Sequence, residues 1–241
     1  MKSEDIFGQV VKASMKLPVV NVDRDSFLRK ELSPYYDESV IEKIIEESPC
    51  KYVDKKLIDK LANGCIKYHT TLVTATSALA GIPGGWWAAG TIPADLAQFY
   101  GHAIALIQKL MYLYGYPDLS DSDGKIPDES LQIIILFLGV MFGNASAAKA
   151  LKELFANFAE QCAKRIAKEK LSQLAIYKVA KEVCKWIGIK LTKESAGKYV
   201  GKVIPLIGAP ISGTMTYFTF KPMSKKLKKH LDEQWKISES L

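Results

Sequence analysis

Three long stretches of this 241-residue chain contain no Lys, Arg, Asp or Glu, and each is broken by glycine or proline where a membrane-spanning helix would run on. They extend from Tyr68 to Ala94, from Ser130 to Ala148 and from Val203 to Phe220. Each reaches the roughly 18 to 20 residues an apolar helix needs to cross a bilayer. Gly81, Pro83, Gly84, Gly85, Gly90 and Pro93 interrupt the first, Gly139 and Gly143 the second, and Pro205, Gly208, Pro210 and Gly213 the third. Such punctuation fits a buried helical core or a bilayer surface better than a simple span.

Composition permits a core of that kind. Hydrophobic residues make up 48% of the chain and charged residues 24%, an ordinary globular balance. No low-complexity linker divides it, and the most polar internal stretch, Pro117 to Ser130, is loop-sized. The expectation is one all-α domain over residues 1–241, a compact multi-helix fold whose core is made of Gly/Pro-broken apolar helices. Residues 1–52 would form a charged region of short helices, and residues 53–241 the apolar helical core and a basic C-terminal helix. Met1-Lys2-Ser3-Glu4-Asp5 carries neither the basic nor the apolar part of a secretory signal, which points to the cytoplasm. Cys50, Cys65, Cys162 and Cys184 lie far apart with no C-x-x-C pair, the pattern of reduced thiols. Together with His69, His102 and His230 they show no metal-ligand spacing, so neither metal nor cofactor is expected.

The net charge of +7 is compatible with nucleic acid, an anionic membrane or plain solubility. Its distribution narrows the choice. Lys221, Lys225, Lys226, Lys228 and Lys229 crowd beside the third apolar stretch, while the other charges are scattered and mixed in sign. No aromatic and basic interleaving or zinc-finger spacing favours nucleic acid.

Periodicity reads as helical almost throughout. Apolar positions recur at helix spacing from Ile6 to Leu17, from Phe27 to Leu32, and from Val40 to Ile45, where Asp37, Glu38 and Ser39 supply a start and Pro49 a stop. A longer helix is expected from Val53 and Asp54, with Leu57, Leu61, Cys65 and Tyr68 on one face, ending at Gly81 and Pro83. Another starts near Thr91 or Ile92, with Pro93 in its first turn and Asp95 at the positive end of its dipole, and lasts until Gly115. Gly139, Gly143 and Ala147 form a small-xxx-small ridge on a helix from about Ser130. Further helices are expected at about Ala147 to Lys170, Leu174 to Ile187, Thr192 to Val203 and Pro210 to Leu231, the last with an interruption at Pro222. Thr214 to Phe220, rich in Thr, Tyr and Phe, also allows a short strand.

The run Gly81-Ile82-Pro83-Gly84-Gly85, followed by Thr91-Ile92-Pro93-Ala94-Asp95 and by Gln108-Lys109-Leu110-Met111-Tyr112-Leu113-Tyr114-Gly115, resembles the bacterial EcsC protein family. Leu138-Gly139-Val140-Met141-Phe142-Gly143 agrees with it, as do Ile204-Pro205-Leu206-Ile207-Gly208 and Ser212-Gly213-Thr214-Met215-Thr216-Tyr217. The resemblance extends from about Phe27 to Leu231. It implies a helical bacterial protein encoded beside an ABC-type transporter linked to secretion and competence, and it carries over no catalytic residues.

Four groups of residues are candidate sites. On the helix ending at Gly115, Asp95, Gln98, His102 and Lys109 share a sector of about sixty degrees, a polar stripe on an apolar rod. One reading makes it an acid/base or headgroup-binding line, with Asp95 holding the His102 tautomer and Lys109 meeting a phosphate. The other makes Asp95 a cap and leaves the rest facing water. No G-x-S-x-G, H-E-x-x-H or Cys and His pairing supplies a nucleophile. Gly81 to Gly85 lacks the Lys and Ser/Thr of a phosphate loop and is instead expected to turn the chain and present Trp86 and Trp87 to an interface. In the acidic loop, registering Gly124 as the calcium-loop glycine puts Leu119 and Ser130 at ligand positions, so that pattern fails. In the tail, Phe220, Met223, Leu227, Leu231 and Trp235 fall on about one third of a helix, with Lys221, Lys225, Lys226, Lys228 and Lys229 opposite. That pattern suits an interfacial helix on anionic lipid as well as a terminal helix packed on the core.

The expected function is that of a non-enzymatic cytoplasmic protein, peripheral at the inner face of the membrane. Its expected partner is anionic membrane lipid or a membrane protein. The other classes are a regulator of an ABC-type transporter, a membrane-inserting or pore-forming protein, and an enzyme acting on a hydrophobic substrate through the Asp95, His102 and Lys109 stripe.

Overall fold

A computed structural model describes residues 3–79, 94–121, 124–155, 173–195 and 213–239. Every regular element among them is helical, and no strand occurs. Four short helices come first: α1 (Ser3–Ser14), α2 (Arg24–Leu32), α3 (Glu38–Glu46) and α4 (Pro49–Tyr52), with a 3-10 turn at Pro18–Val20. Their ends follow from capping chemistry. The Asp23 carboxylate accepts from the Ser26 N–H at the start of α2, and the Ser48 hydroxyl accepts from the Cys50 N–H at the start of α4. Pro49, expected as a stop, therefore opens α4, where its missing N–H costs nothing.

Helix α5 (Lys55–Leu79) begins behind Asp54, whose carboxylate accepts from the Lys56 N–H at 2.6 Å. Its buried stripe runs through Ile58, Leu61, Ala62, Cys65, Ile66, His69 and Val73. Tyr68, expected on that face, is 57% exposed. The stripe therefore lies about one position away from the sequence reading, and His69 falls at its centre.

Helix α6 (Ala94–Leu113) is the axis of the molecule. From Leu96 to Leu113 every residue is buried except Gln98 and Lys109, which are half-buried. A helix apolar on all sides needs neighbours on all sides; here α1, α2 and α5 supply part of the casing, together with two helices described below. The chain leaves α6 through Gly115, which adopts φ +78°. Tyr116 N–H bonds the Met111 carbonyl at 2.9 Å and Gly115 N–H the Tyr112 carbonyl at 3.1 Å, a left-handed cap. A Cβ at Gly115 would also lie 2.5 Å from Ser48 Oγ and 2.6 Å from Cys50 Sγ.

The second uncharged stretch forms α7 (Asp128–Met141) and the first turn of α8 (Ala145–Leu154). The expected small-residue ridge divides into two roles. Gly139 lets helices close up, since a Cβ there would lie 2.7 Å from Ala147 Cβ. Gly143, at φ +83°, caps α7 instead, and Asn144 caps α8 by accepting from Ala147 N–H at 2.9 Å. Helix α9 (Gln173–Ser195) runs through Gly188, joining two segments read as separate helices. Helix α10 (Gly213–Glu239) includes Thr214 to Phe220, which is helix and not strand, and it carries Pro222 within its length.

Helix α10 lies on α5 and also contacts α6 and α7. Lys55 pairs with Asp232 and Asp59 with Lys228, so the numbering of α5 and α10 runs in opposite directions. Phe220, Met223, Leu227, Leu231 and Trp235 are all buried. The apolar face of the basic tail is therefore occupied by the core. Among the described residues, no helix is long and apolar enough to cross a membrane. Trp86, Trp87 and the Gly81 to Gly85 turn lie outside the described residues, as do residues 156–172 and 196–212.

Candidate functional site

Helices α5 and α6 bring together two imidazoles that the sequence reading kept apart. His69 Nδ1 and His102 Nδ1 are 3.2 Å apart, with His69 fully buried and His102 5% exposed. A nitrogen pair at that distance needs one donor and one acceptor. His69 Nε2 is buried with no partner. An orphaned N–H there would cost more than an orphaned acceptor, so we assign the Nδ1–H tautomer to His69 and the Nε2–H tautomer to His102. Burial, reinforced by the Lys109 charge and by the neighbouring His102, pushes His69 down to about 2. Burial and Lys109 lower His102 in the same way. Among the described residues, no carboxylate bonds either ring as the acidic partner of an acid/base dyad would.

Lys109 lies on the same helix as His102, two turns along. Its ammonium is 5.7 Å from the Phe27 ring centre and 5.2 Å from that of Tyr68, a cation held between two aromatic faces. Burial lowers its pKa, opposed by Cys65 and Glu31. The Cys65 thiol is itself pushed up to about 12, chiefly by burial. Gln98 is half-buried one turn before His102, while the Asp95 side chain lies outside the described residues. Of the predicted stripe, His102 and Lys109 therefore meet the casing of the core and do not project freely into water.

A second polar assembly locks α10 to α5. Lys55 bonds Asp59 at 2.6 Å and Asp232 at 2.8 Å; Lys228 bonds Asp232 at 2.9 Å and also Asp59. The Tyr114 hydroxyl donates to Asp232, and Lys55 stands 5.4 Å from the Tyr114 ring and 6.0 Å from that of Trp235. Burial alone would raise the Asp232 carboxyl, but the bonds from Lys55, Tyr114 and Lys228 outweigh it and hold the group below its usual range. Burial, then Asp232, drives the Tyr114 phenol well above its ordinary value.

The predicted lysines thus divide. Lys228 is only 14% exposed, inside the ion-pair lattice. Lys225 and Lys226 are exposed, and Lys229 is 79% exposed, 4.0 Å from Glu233. Phe218, which sequence reasoning did not single out, is 70% exposed on the same helix. At 100° per residue, Phe218, Lys225 and Lys229 fall within about forty degrees of one another. Tyr217 and Lys221 flank them, the Lys221 ammonium 4.6 Å from the Tyr217 ring. The outward face of α10 is an aromatic tip followed by a row of cations.

Among the described residues, no group of three or more His, Cys, Asp and Glu is placed to hold a metal ion. No family model, curated protein or solved structure matches this chain.

Proposed function

We propose that this chain is a non-enzymatic peripheral protein that binds anionic membrane lipid through the outward face of α10. The observation that carries the reading is Phe218, a large apolar side chain left 70% exposed in line with Lys225 and Lys229. Since the inward face of α10 is already buried, this outward row is what remains available to lipid headgroups. The Trp86-Trp87 turn is assigned as a second contact, and the cytoplasmic face of the membrane as the place of action. The EcsC resemblance, which rests on sequence motifs, fits both.

Flotation with vesicles of phosphatidylglycerol and phosphatidylcholine at low salt tests this. The protein should rise with the vesicles, and rise less as salt screens the lysines. If it stays at the bottom at low salt while co-purifying with a membrane transporter, protein docking replaces lipid contact.

A further inference from the structure

We propose that the His69–His102 pair is a proton-operated latch, whose protonation parts α5 from α6 and frees the first turns of α10 to enter an anionic membrane. Its final step rests on the membrane reading above; its first does not. The geometry allows the pair no comfortable place for an added proton. A proton on His102 Nδ1 would face the Nδ1–H of His69 at 3.2 Å and break the one bond the rings share. A proton on His69 Nε2 would place a charge on a buried atom with no partner. Among the described residues, the surroundings do not help. Lys109 of α6 adds positive charge, the Tyr68 ring stands at 88° to the His69 ring with centroids 5.2 Å apart, and Glu31 and Lys30 of α2 act on Lys109, beside the neutral Cys65 thiol.

The opening is one-sided. The pair lies ten to fourteen residues beyond Asp59 and Lys55 along α5, about 15 to 21 Å from the ion-pair lattice. The lattice keeps its charge in mild acid, because the Asp59 and Asp232 carboxyls are held below their usual range. At the other end, Phe220 of α10 rests edge-on against Phe99, one turn before His102 on α6. Pro222 then lacks the N–H that would bond the Phe218 carbonyl, so the helix is weakest where the freed arm would bend. That arm contains Tyr217, Phe218 and Phe220 and no charged residue before Lys221. His230 lies on the docked face of α10 near Glu233 and Lys152 of α8, at the lattice end, and is the natural control.

Hydrogen exchange without vesicles tests the first step. Between about pH 7.5 and pH 5.5, across the ordinary histidine range, protection factors for residues 65–73 should fall at least tenfold while those for 55–59 hold. His69→Gln and His102→Gln should abolish the difference, and His230→Gln should keep it. Equal loss at both ends, or loss of the response only in His230→Gln, overturns the latch. Should the glutamine variants not fold, nitrogen NMR of the native rings decides: either ring titrating at its ordinary value with exchange protection unchanged overturns it too. Flotation tests the second step. Binding at about pH 5.5 should resist salt that releases the protein at about pH 7.5, since an inserted apolar arm is not screened. Opening without salt-resistant binding overturns the membrane step, whereas absence of low-salt binding at neutral pH counts only against the peripheral reading.

Discussion

Gly139 of α7 faces Val183 of α9 with no room for a methyl group between them: a Cβ on the glycine would lie 2.9 Å from Val183 Cγ1. Gly139→Ala should therefore overpack the α7, α8 and α9 junction and destabilise the fold by about 1–3 kcal/mol. Adding Val183→Ala should restore part of the loss, because the two sites share one volume. Denaturant midpoints measure both, and an unchanged midpoint for Gly139→Ala would refute the close approach.

Acid should weaken the protein in two limbs. His69, His102 and His230 are neutral when folded, with pKa values below those of the unfolded chain. The unfolded state thus binds more protons below about pH 6.5, and stability falls as pH drops through that value. Between about pH 7.5 and pH 4.5, His69 alone should cost about 3 kcal/mol. Asp59 and Asp232, held below the usual range, add a second loss below about pH 4. Urea titrations across this range check both limbs, and a flat profile down to about pH 5 would falsify the burial of the imidazoles.

Asp232 should matter more than its partial exposure suggests. Asp232→Ala leaves Lys55 and Lys228 sharing one carboxylate and removes the acceptor of Tyr114. A loss of about 1–2 kcal/mol is expected, after discounting for solvent. Lys229→Ala, at a site 79% exposed, should change stability by less than about 0.5 kcal/mol. Thermal melts compare the two.

Four lysines of the tail, at 225, 226, 228 and 229, should separate in function. Lys225→Gln, Lys226→Gln and Lys229→Gln should each weaken anionic vesicle binding by about 1 kcal/mol with little change in stability. Lys228→Gln should do the reverse, because its ammonium already serves Asp59 and Asp232. Equal effects of all four on vesicle affinity would argue against the outward row.

Much of the fold was legible in the sequence because helices announce themselves locally. Asp54 starts α5 and Gly115 ends α6 by chemistry confined to a few residues. The C-terminal helix was equally clear, yet two readings of its apolar face stayed open. Amphipathicity says that a face is buried, not what buries it. His69 is not legible in the pattern because Leu57, Leu61, Cys65 and Tyr68 make an equally regular helical face, whereas the buried set is centred on Ile58, Ala62, Cys65, Ile66 and His69. Lys228 could not be told from Lys225 by spacing. What distinguishes them is Asp59, 169 residues away, and no periodicity reports a partner on another helix.

Two demands meet at Gly115, where the backbone has positive φ and a Cβ would strike Ser48 and Cys50. Both belong to the left-handed residues that ribosomes supply. A D-alanine, inserted by chemical ligation, would accept φ +78° and carry its methyl in place of the other α-hydrogen, not at the position that strikes Ser48 and Cys50. Glycine at this position reflects the chirality of the genetic alphabet more than any need for flexibility.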